Sequence, residues 1–252
     1  CKEGRPAICD NGLKANVAGT LLGGGKRLKL NGEYINHQVG VSCFAEYAVC
    51  SRKSLVKVDH KLPLDHAALF SCAVITGVGN VVNAAKVRAG SSVAVVGLGG
   101  TGLAAVLGAR AVGAANIVGL DTRDSKLELG KKLGADLVFD AGAKDVVEQV
   151  KEATNGGVDY AIECVGKVEA MEMAYAVTRR GGTTVTSGLS HPEHTLQISH
   201  VNMVVEERTM IGSYLGSCVP SRDIPHYIQL FQHGRLPVDS LISTSIALDD
   251  IN

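Results

Sequence analysis

A glycine-rich segment of this chain has the residue types and spacing of a phosphate-binding turn. The run Gly97-Leu98-Gly99-Gly100-Thr101-Gly102 contains G-x-G-x-x-G, directly after an apolar stretch and at the start of a helix-forming one. In such a turn the first glycine permits the bend, the second lets a pyrophosphate approach the backbone, and the third lets helix and strand pack closely. The helix N-terminus adds free N–H groups. Asp121 follows about twenty residues later, where a carboxylate can accept hydrogen bonds from ribose hydroxyls. These residues predict a dinucleotide site.

The same residues bear on which dinucleotide is bound. The negative charge of Asp121 would repel a 2′-phosphate, which favours NAD over NADP. Arg123 and Lys126 lie near enough in the sequence to soften that preference, and Lys126 is counted among the candidate cofactor-binding residues. A structural alternative remains, in which the glycines only permit close packing and Asp121 caps a helix.

The elements that must position this turn alternate between apolar strands and helices. Predicted strands cover 91–97, 116–121, 135–140, 158–166, 183–189 and 207–216, and predicted helices cover 101–114, 125–135, 145–157 and 169–182. Continuous apolar strands joined by helices imply parallel pairing, because each crossover needs a helix to return the chain. The fold class is therefore α/β, a doubly wound parallel sheet of the Rossmann type.

The two ends of the chain have a different character. The first ninety residues are rich in glycine and turns, with β-like runs at 44–49 and 54–59 and no long helix before about Asp65. The tail contains one amphipathic helix from Ile224 to His233 and an expected strand at 241–248. A separate β-rich unit is thus predicted before the nucleotide domain.

Composition excludes several classes of partner. The chain has 25 basic and 25 acidic residues, so no excess charge points to nucleic acid or a membrane surface. No apolar run reaches the length that crosses a bilayer. Seven scattered cysteines form an odd set without a disulfide framework, which favours a reducing compartment. We expect a cytoplasmic location.

Five segments that occur in order carry a family resemblance. They are CKEGRPAIC, CFAEYAVCSRKSLVKVD, FSCAVITGVGNVVNAAKVRAGSSVAVVGLGGTGLAAV, NIVGLDTRDSKLELGKKLGA and GGVDYAIECVG. Together they resemble a zinc-dependent medium-chain alcohol dehydrogenase over nearly the whole chain. The β-rich unit would then be part of a GroES-like catalytic domain (1–73), followed by an NAD-binding domain (74–216) and a return to the catalytic domain (217–252).

The resemblance implies two zinc sites, each only partly present. Cys1 and Cys9 match the third and fourth of four structural zinc ligands, and Cys72 matches the last ligand of the catalytic zinc. The other ligands would precede Cys1. We therefore expect a fragment, cut inside the structural-zinc lobe and ending before the family's C-terminal cofactor-binding arginine.

The resemblance also implies where the nicotinamide ring lies and how subunits pair. Thr76 should touch the ring face, Ser187 and Leu189 should line its site, and backbone groups of Ser213 and Leu215 should hold the carboxamide. Family members dimerise through their sixth strands, so a homodimer or homotetramer is expected through 208–215. The implied reaction is reversible hydride transfer between an alcohol and NAD, with zinc as Lewis acid.

Three alternatives stay open. A zinc-free quinone or enone reductase would share the nucleotide domain without needing Cys72. A non-catalytic NAD-binding module would need only the cofactor site. A methyltransferase with a similar sheet fits Asp121 but not the segment from Cys72 to Thr76. The substrate is also open among primary alcohols, secondary alcohols and a glutathione adduct of formaldehyde.

Overall fold

The N-terminal region contains little regular structure. The computed structural model describes residues 4–41 and 44–251. Its first elements are helix α1 (Asp10–Val17) and a hairpin of two short antiparallel strands, β1 (Lys29–Leu30) and β2 (Glu33–Tyr34). The eight-residue helix α1 was not predicted from the sequence; it has Asp10 in its first turn and Lys14 in its last, where both charges favour the helix dipole. In keeping with the prediction, no long helix precedes residue 65 within the described residues.

The predicted strands at 44–49 and 54–59 are wrong. The described residues there form loops and a short 3-10 turn at Arg52–Ser54. A strand needs a neighbour to take its backbone hydrogen bonds, and no segment within the described ranges pairs with these runs. Phe44 and Tyr47 are consequently 83% and 90% exposed.

Two helices lead into the nucleotide domain. Helix α2 (Leu64–Leu69) precedes α3 (Ala73–Gly79), which continues directly into a π-helical turn, Asn80–Ala85. All of α3 from Val74 onward is buried.

A six-stranded parallel sheet forms the body of the molecule. Its strands are β3 (Ser92–Val96), β4 (Asn116–Asp121), β5 (Leu137–Asp140), β6 (Val158–Glu163), β7 (Thr178–Thr186) and β8 (Thr209–Gly212). They lie in the order β5-β4-β3-β6-β7-β8, and every neighbouring pair is parallel. The connecting helices are α4 (Gly100–Ala111), α5 (Asp124–Leu133), α6 (Val146–Ala153), α7 (Val168–Val177) and α8 (His200–Val205). The doubly wound α/β prediction is confirmed.

The sheet separates two apolar cores. Val93 and Val95 of β3 face the larger core, which contains much of α3 and α4. Ala94 and Val96 face the smaller one, with α6 and α7. This alternation over a continuous apolar run is typical of a parallel strand covered on both faces.

The junction between α7 and β7 differs from the sequence predictions at both elements. The helix expected to continue to 182 ends at Val177, because Thr178 is extended and its hydroxyl donates to the Ala174 carbonyl at 2.7 Å. Strand β7 therefore begins at Thr178 rather than at 183.

The tail is more helical than expected. Helix α9 (Pro220–Gln232) starts earlier than predicted, with proline in its first turn, where the missing N–H costs nothing. The strand expected at 241–248 is wrong, since two short 3-10 turns, Val238–Leu241 and Leu248–Asp250, flank an unpaired segment. In the described part of the chain no helix is long and apolar enough to cross a membrane.

Candidate functional site

The glycine loop lies between β3 and α4, as predicted. Gly97 has φ +88°, and a Cβ built there would overlap the side chain of Val165. A Cβ on Gly102 would overlap the Gly97 carbonyl oxygen. The first and third glycines are therefore required by the fold itself, whatever the loop binds.

Gly99 is different, because no contact within the described residues requires a glycine there. A Cβ built on Gly99 meets none of their atoms within 4 Å, and its φ of −72° suits any residue. Gly99 is also the N-cap of α4, and no side chain caps that helix. Gly100 and Thr101 form its first turn. Open space above uncapped N–H groups fits a pyrophosphate, so these residues are suited to bind a dinucleotide.

Asp121 ends β4 beside the glycine loop, nearly buried. Its Oδ2 accepts a hydrogen bond from the Leu98 N–H at 2.8 Å, and Oδ1 accepts from the Arg123 N–H at 3.1 Å. The Arg123 Nε lies 3.6 Å from the same Oδ1. The carboxylate thus fixes the loop, a role that the sequence did not reveal, and retains lone pairs for ribose hydroxyls. Lys126 lies in the first turn of α5 and is partly exposed.

A cavity of about 310 Å³ opens at the carboxyl ends of β7 and β8. Its walls come from three segments, and the lining residues are Arg5, Ala7, Ile8, Thr186, Ser187, Gly188, Leu189, Gly212, Ser213, Tyr214, Ser217 and Cys218. Of the predicted nicotinamide residues, Ser187, Leu189 and Ser213 line this cavity. Thr76 and Leu215 are not among the lining residues: Thr76 is buried in α3 with its carbonyl oxygen against Gly216, and Leu215 packs against the larger core.

The wall near Leu215 has an unusual backbone. Leu215, Gly216 and Ser217 have φ of 49°, 64° and 49°, three successive residues in the left-handed region. Such a conformation is uncommon for residues other than glycine and persists only where the surroundings enforce it. A Cβ on Gly216 would overlap the carbonyl oxygen of Ile75 in α3, so the turn is seated directly on that helix.

A buried carboxylate organises the other wall. Glu163 at the end of β6 is 1% exposed. Its Oε1 accepts from the N–H groups of Val165 and Gly166, and its Oε2 from the Thr186 hydroxyl, all at 2.6 Å. Glu163 therefore holds the ends of β6 and β7 together.

Cys164 lies beside this carboxylate. Burial, as the larger cause, and the negative charge of Glu163 together raise the pKa of its thiol to about 12. Its sulfur is 3.9 Å from the Ser187 hydroxyl. The thiol is consequently neutral at physiological pH and is not a nucleophile.

Two of the three predicted metal ligands, Cys9 and Cys72, lie within the described residues. Cys72 is exposed, free and at the N-cap of α3. Cys1 lies outside the described residues. Cys9 is free, and backbone N–H groups of Gly12 and Asn11 lower the pKa of its thiol. Across residues 4–41 and 44–251, no three His, Cys, Asp or Glu side chains are grouped to hold a metal ion. These residues alone do not fit a zinc ion.

Sequence reasoning missed Glu163 and Asn80. An acidic residue near the end of the predicted strand 158–166 was a usable signal for Glu163, because strand ends at this edge carry ligand-binding residues. Asn80 gave no signal, since its hydrogen bond to Ser187 spans 107 positions.

The strand order reverses between β3 and β6, and the glycine turn lies at that switch point. This arrangement defines a Rossmann-type nucleotide-binding protein. The sequence model described as "Zinc-binding dehydrogenase" matches residues 100–233. The chain belongs to this family, the zinc-dependent medium-chain alcohol dehydrogenases, and is thus of an oxidoreductase class.

Individual relatives agree with this assignment. Alcohol dehydrogenase 3 of Hordeum vulgare is 37% identical over 257 residues, covering 100% of this chain and 67% of the relative. An alcohol dehydrogenase zinc-binding domain protein from Burkholderia ambifaria superposes with a TM-score of 0.93 at 32% identity, and benzyl alcohol dehydrogenase from Acinetobacter calcoaceticus with 0.90 at 32%. Both solved structures match 100% of this chain and 68% of their own.

Proposed function

We propose that this chain takes part in NAD-dependent, zinc-assisted oxidation of an alcohol to an aldehyde or ketone. The observation that carries the proposal is one sheet edge with an open glycine loop at β3 and a cavity beyond β7 and β8. Ligands of open parallel sheets bind at that edge. A nicotinamide ring, when bound, accepts or gives up the hydride.

Each half of the edge has a proposed task. The loop around Gly99 receives the pyrophosphate, and Asp121 accepts from the adenosine ribose. Ser187, Leu189 and Ser213 surround the nicotinamide, with Thr76 and Leu215 supporting the wall from behind. This assigns cofactor binding to residues 74–216, with 1–73 and 217–252 completing the substrate side.

The zinc component rests on family membership and on three cysteines. Cys72 is the proposed ligand of a catalytic zinc, which would act as a Lewis acid, and Cys1 and Cys9 are proposed ligands of a structural one. The described residues by themselves supply no complete ligand set for either zinc ion. The isolated position of Cys72 keeps the zinc-free reductase and the non-catalytic NAD module as alternatives.

We also propose a homodimer, or a homotetramer built from it, through residues 208–215. Strand β8 is at the edge of the sheet, and among the described strands only β7 pairs with it. Val201 and Val204 of the neighbouring helix α8 are 63% and 61% exposed. Apolar surface next to an unpaired edge is typical of an interface. The proposed compartment is the cytoplasm, in keeping with the free thiols of the described cysteines.

Native mass spectrometry combined with titration tests the function. We expect NADH to bind and its nicotinamide fluorescence to change on binding. We also expect the native protein to contain zinc and to reduce NAD when an alcohol is present. NADH binding without zinc or alcohol oxidation would favour the alternatives, and enone reduction would single out the reductase. Absence of NADH binding would overturn the proposal.

A further inference from the structure

The π-helical turn Asn80–Ala85 has no assigned role, although it lies against both walls of the cavity. It continues α3 without a break and ends at Lys86, which has φ +53°. π-Helical turns are rare and are frequent at functional sites. This turn contains two asparagines three positions apart, Asn80 and Asn83.

Asn80 contacts the first wall. It is fully buried, and its Nδ2 donates to the Ser187 hydroxyl at 2.8 Å. The Ser187 hydroxyl also donates to the Glu163 carbonyl at 3.3 Å. The Oδ1 of Asn80 has no hydrogen-bond partner within the described residues. A buried amide that is only half satisfied is costly, so packing alone does not account for asparagine at this position.

Asn83 contacts the second wall. Its Nδ2 donates to the Gly216 carbonyl at 3.2 Å and to the Asp223 carboxylate at 3.3 Å. Gly216 is the centre of the left-handed turn 215–217, which needs outside support to persist. Asp223 also accepts from the Val219 N–H at 2.8 Å, which fixes the chain leaving that turn.

The backbones of the two segments are in direct contact. A Cβ built on Gly79 would lie 2.5 Å from the Gly216 carbonyl oxygen. The glycine at 79 therefore lets the end of α3 approach the turn closely enough for Asn83 to reach it. The two asparagines then contact loops that are 107 and 133 positions away.

We propose that the turn Asn80–Ala85 is a positioning element for the nicotinamide end of the cofactor. Asn80 orients the Ser187 wall and Asn83 the 215–217 wall, so that the ring and its carboxamide enter a preformed site. Neither asparagine lines the cavity, and both are positioning residues. This inference rests on the proposed function.

The test compares two probes, NADH and ADP-ribose, which share everything except the nicotinamide. For Asn80→Ala we expect the Kd of NADH to rise about five- to tenfold, the range for loss of one buried hydrogen bond. The Kd of ADP-ribose should stay within about twofold, because the glycine loop is unaffected. Equal weakening of both probes, or of neither, would overturn the inference. If the wild-type chain binds neither, the proposed function fails and the inference fails with it.

Further variants keep the test decisive if Asn80→Ala does not fold. Asn83→Ala should give the same selective loss through the other wall. Ser187→Ala removes the partner of the Asn80 hydrogen bond. The double variant Asn80→Ala/Ser187→Ala should have a Kd for NADH no higher than that of whichever single variant binds NADH less tightly. The matched control is Asn116→Ala, which also has a buried, unpaired Oδ1 but lies at the opposite end of β4. It should leave both Kd values unchanged.

Discussion

The two ends of the proposed cofactor site are built in opposite ways. The adenosine end uses one continuous stretch, in which Gly97, Gly99, Gly102 and Asp121 follow each other within a single β-α-β unit. The nicotinamide end holds Ser187 and the turn 215–217 through asparagines more than a hundred positions away. A local motif depends on backbone shape, whereas the assembled wall depends on side-chain hydrogen bonds between distant segments. Substitutions at the adenosine end should therefore weaken binding of NADH and ADP-ribose alike, whereas substitutions at the nicotinamide end should weaken binding of NADH more.

The largest effect is expected at the adenosine end. Gly99→Asp places a charged side chain in the open space that the pyrophosphate would occupy, and no protein atom lies within 4 Å of the new Cβ. Binding of both NADH and ADP-ribose should fall about 100-fold or more, with the melting temperature nearly unchanged. Fluorescence titration and thermal unfolding measure this. The control is Gly23→Asp, which is equally unobstructed and outside the sheet. A large loss of stability in Gly99→Asp would contradict the assignment.

The nicotinamide end should respond most to Glu163→Gln. Glu163 accepts three hydrogen bonds through its two oxygens, and an amide must point its NH2 group at one set of donors. We expect about 2–3 kcal/mol of destabilisation, the cost of buried unsatisfied groups, and weaker binding of NADH than of ADP-ribose. Chemical denaturation measures the first and titration the second. Glu152→Gln, on the exposed side of α6, is the control; equal stability of the two variants would be inconsistent with this role.

A smaller effect is expected for cofactor choice at the adenosine end. Asp121→Asn removes the charge that would repel a 2′-phosphate and should reduce the preference for NADH over NADPH about tenfold. Arg123→Ala, which removes the guanidinium 3.6 Å from that carboxylate, should shift the preference in the other direction. Paired NADH and NADPH titrations measure both shifts. Unchanged preference in both variants would mean that neither residue faces the ribose.

The smallest functional effect is expected at Cys164. The pKa of its thiol is about 12 because desolvation of this partly buried group and the negative charge of Glu163 both disfavour the thiolate. Maleimide at neutral pH should modify Cys72 and leave Cys164 unmodified until the chain is denatured, as peptide mass spectrometry would show. Cys164→Ser should keep the Kd of NADH within about twofold, because the thiol makes only weak contacts, with the Ser187 hydroxyl and the Asn80 side chain. Rapid labelling of Cys164 in the native protein would contradict the raised pKa of its thiol.

The sequence predicted the parts of the molecule whose signal is local. Periodicity located the six sheet strands, and glycine spacing located the loop with Asp121 at the next strand end. It failed where partners are distant or lacking. The runs at 44–49 and 241–248 have strand-like composition but no neighbour within the described part of the chain. Asn80 has no sequence signal because its partner is remote.

In the N-terminal region, the sequence also fails to predict which apolar side chains are buried. Leu13 and Val17 of α1 are 63% and 79% exposed, and no residue of that helix is buried. Strand β3, by contrast, is buried from Val93 to Val96. Apolar composition alone predicts burial in both places, but burial requires a partner surface.

Helix α3 joins Cys72 at its start to the asparagine turn at its end. A helix advances about 1.5 Å and rotates about 100° per residue. Deleting a single residue between Val74 and Gly79 would therefore turn Cys72 by more than a quarter of a revolution relative to both cavity walls. The length of this helix is therefore constrained in addition to its buried side chains, and insertions or deletions within it should not be tolerated.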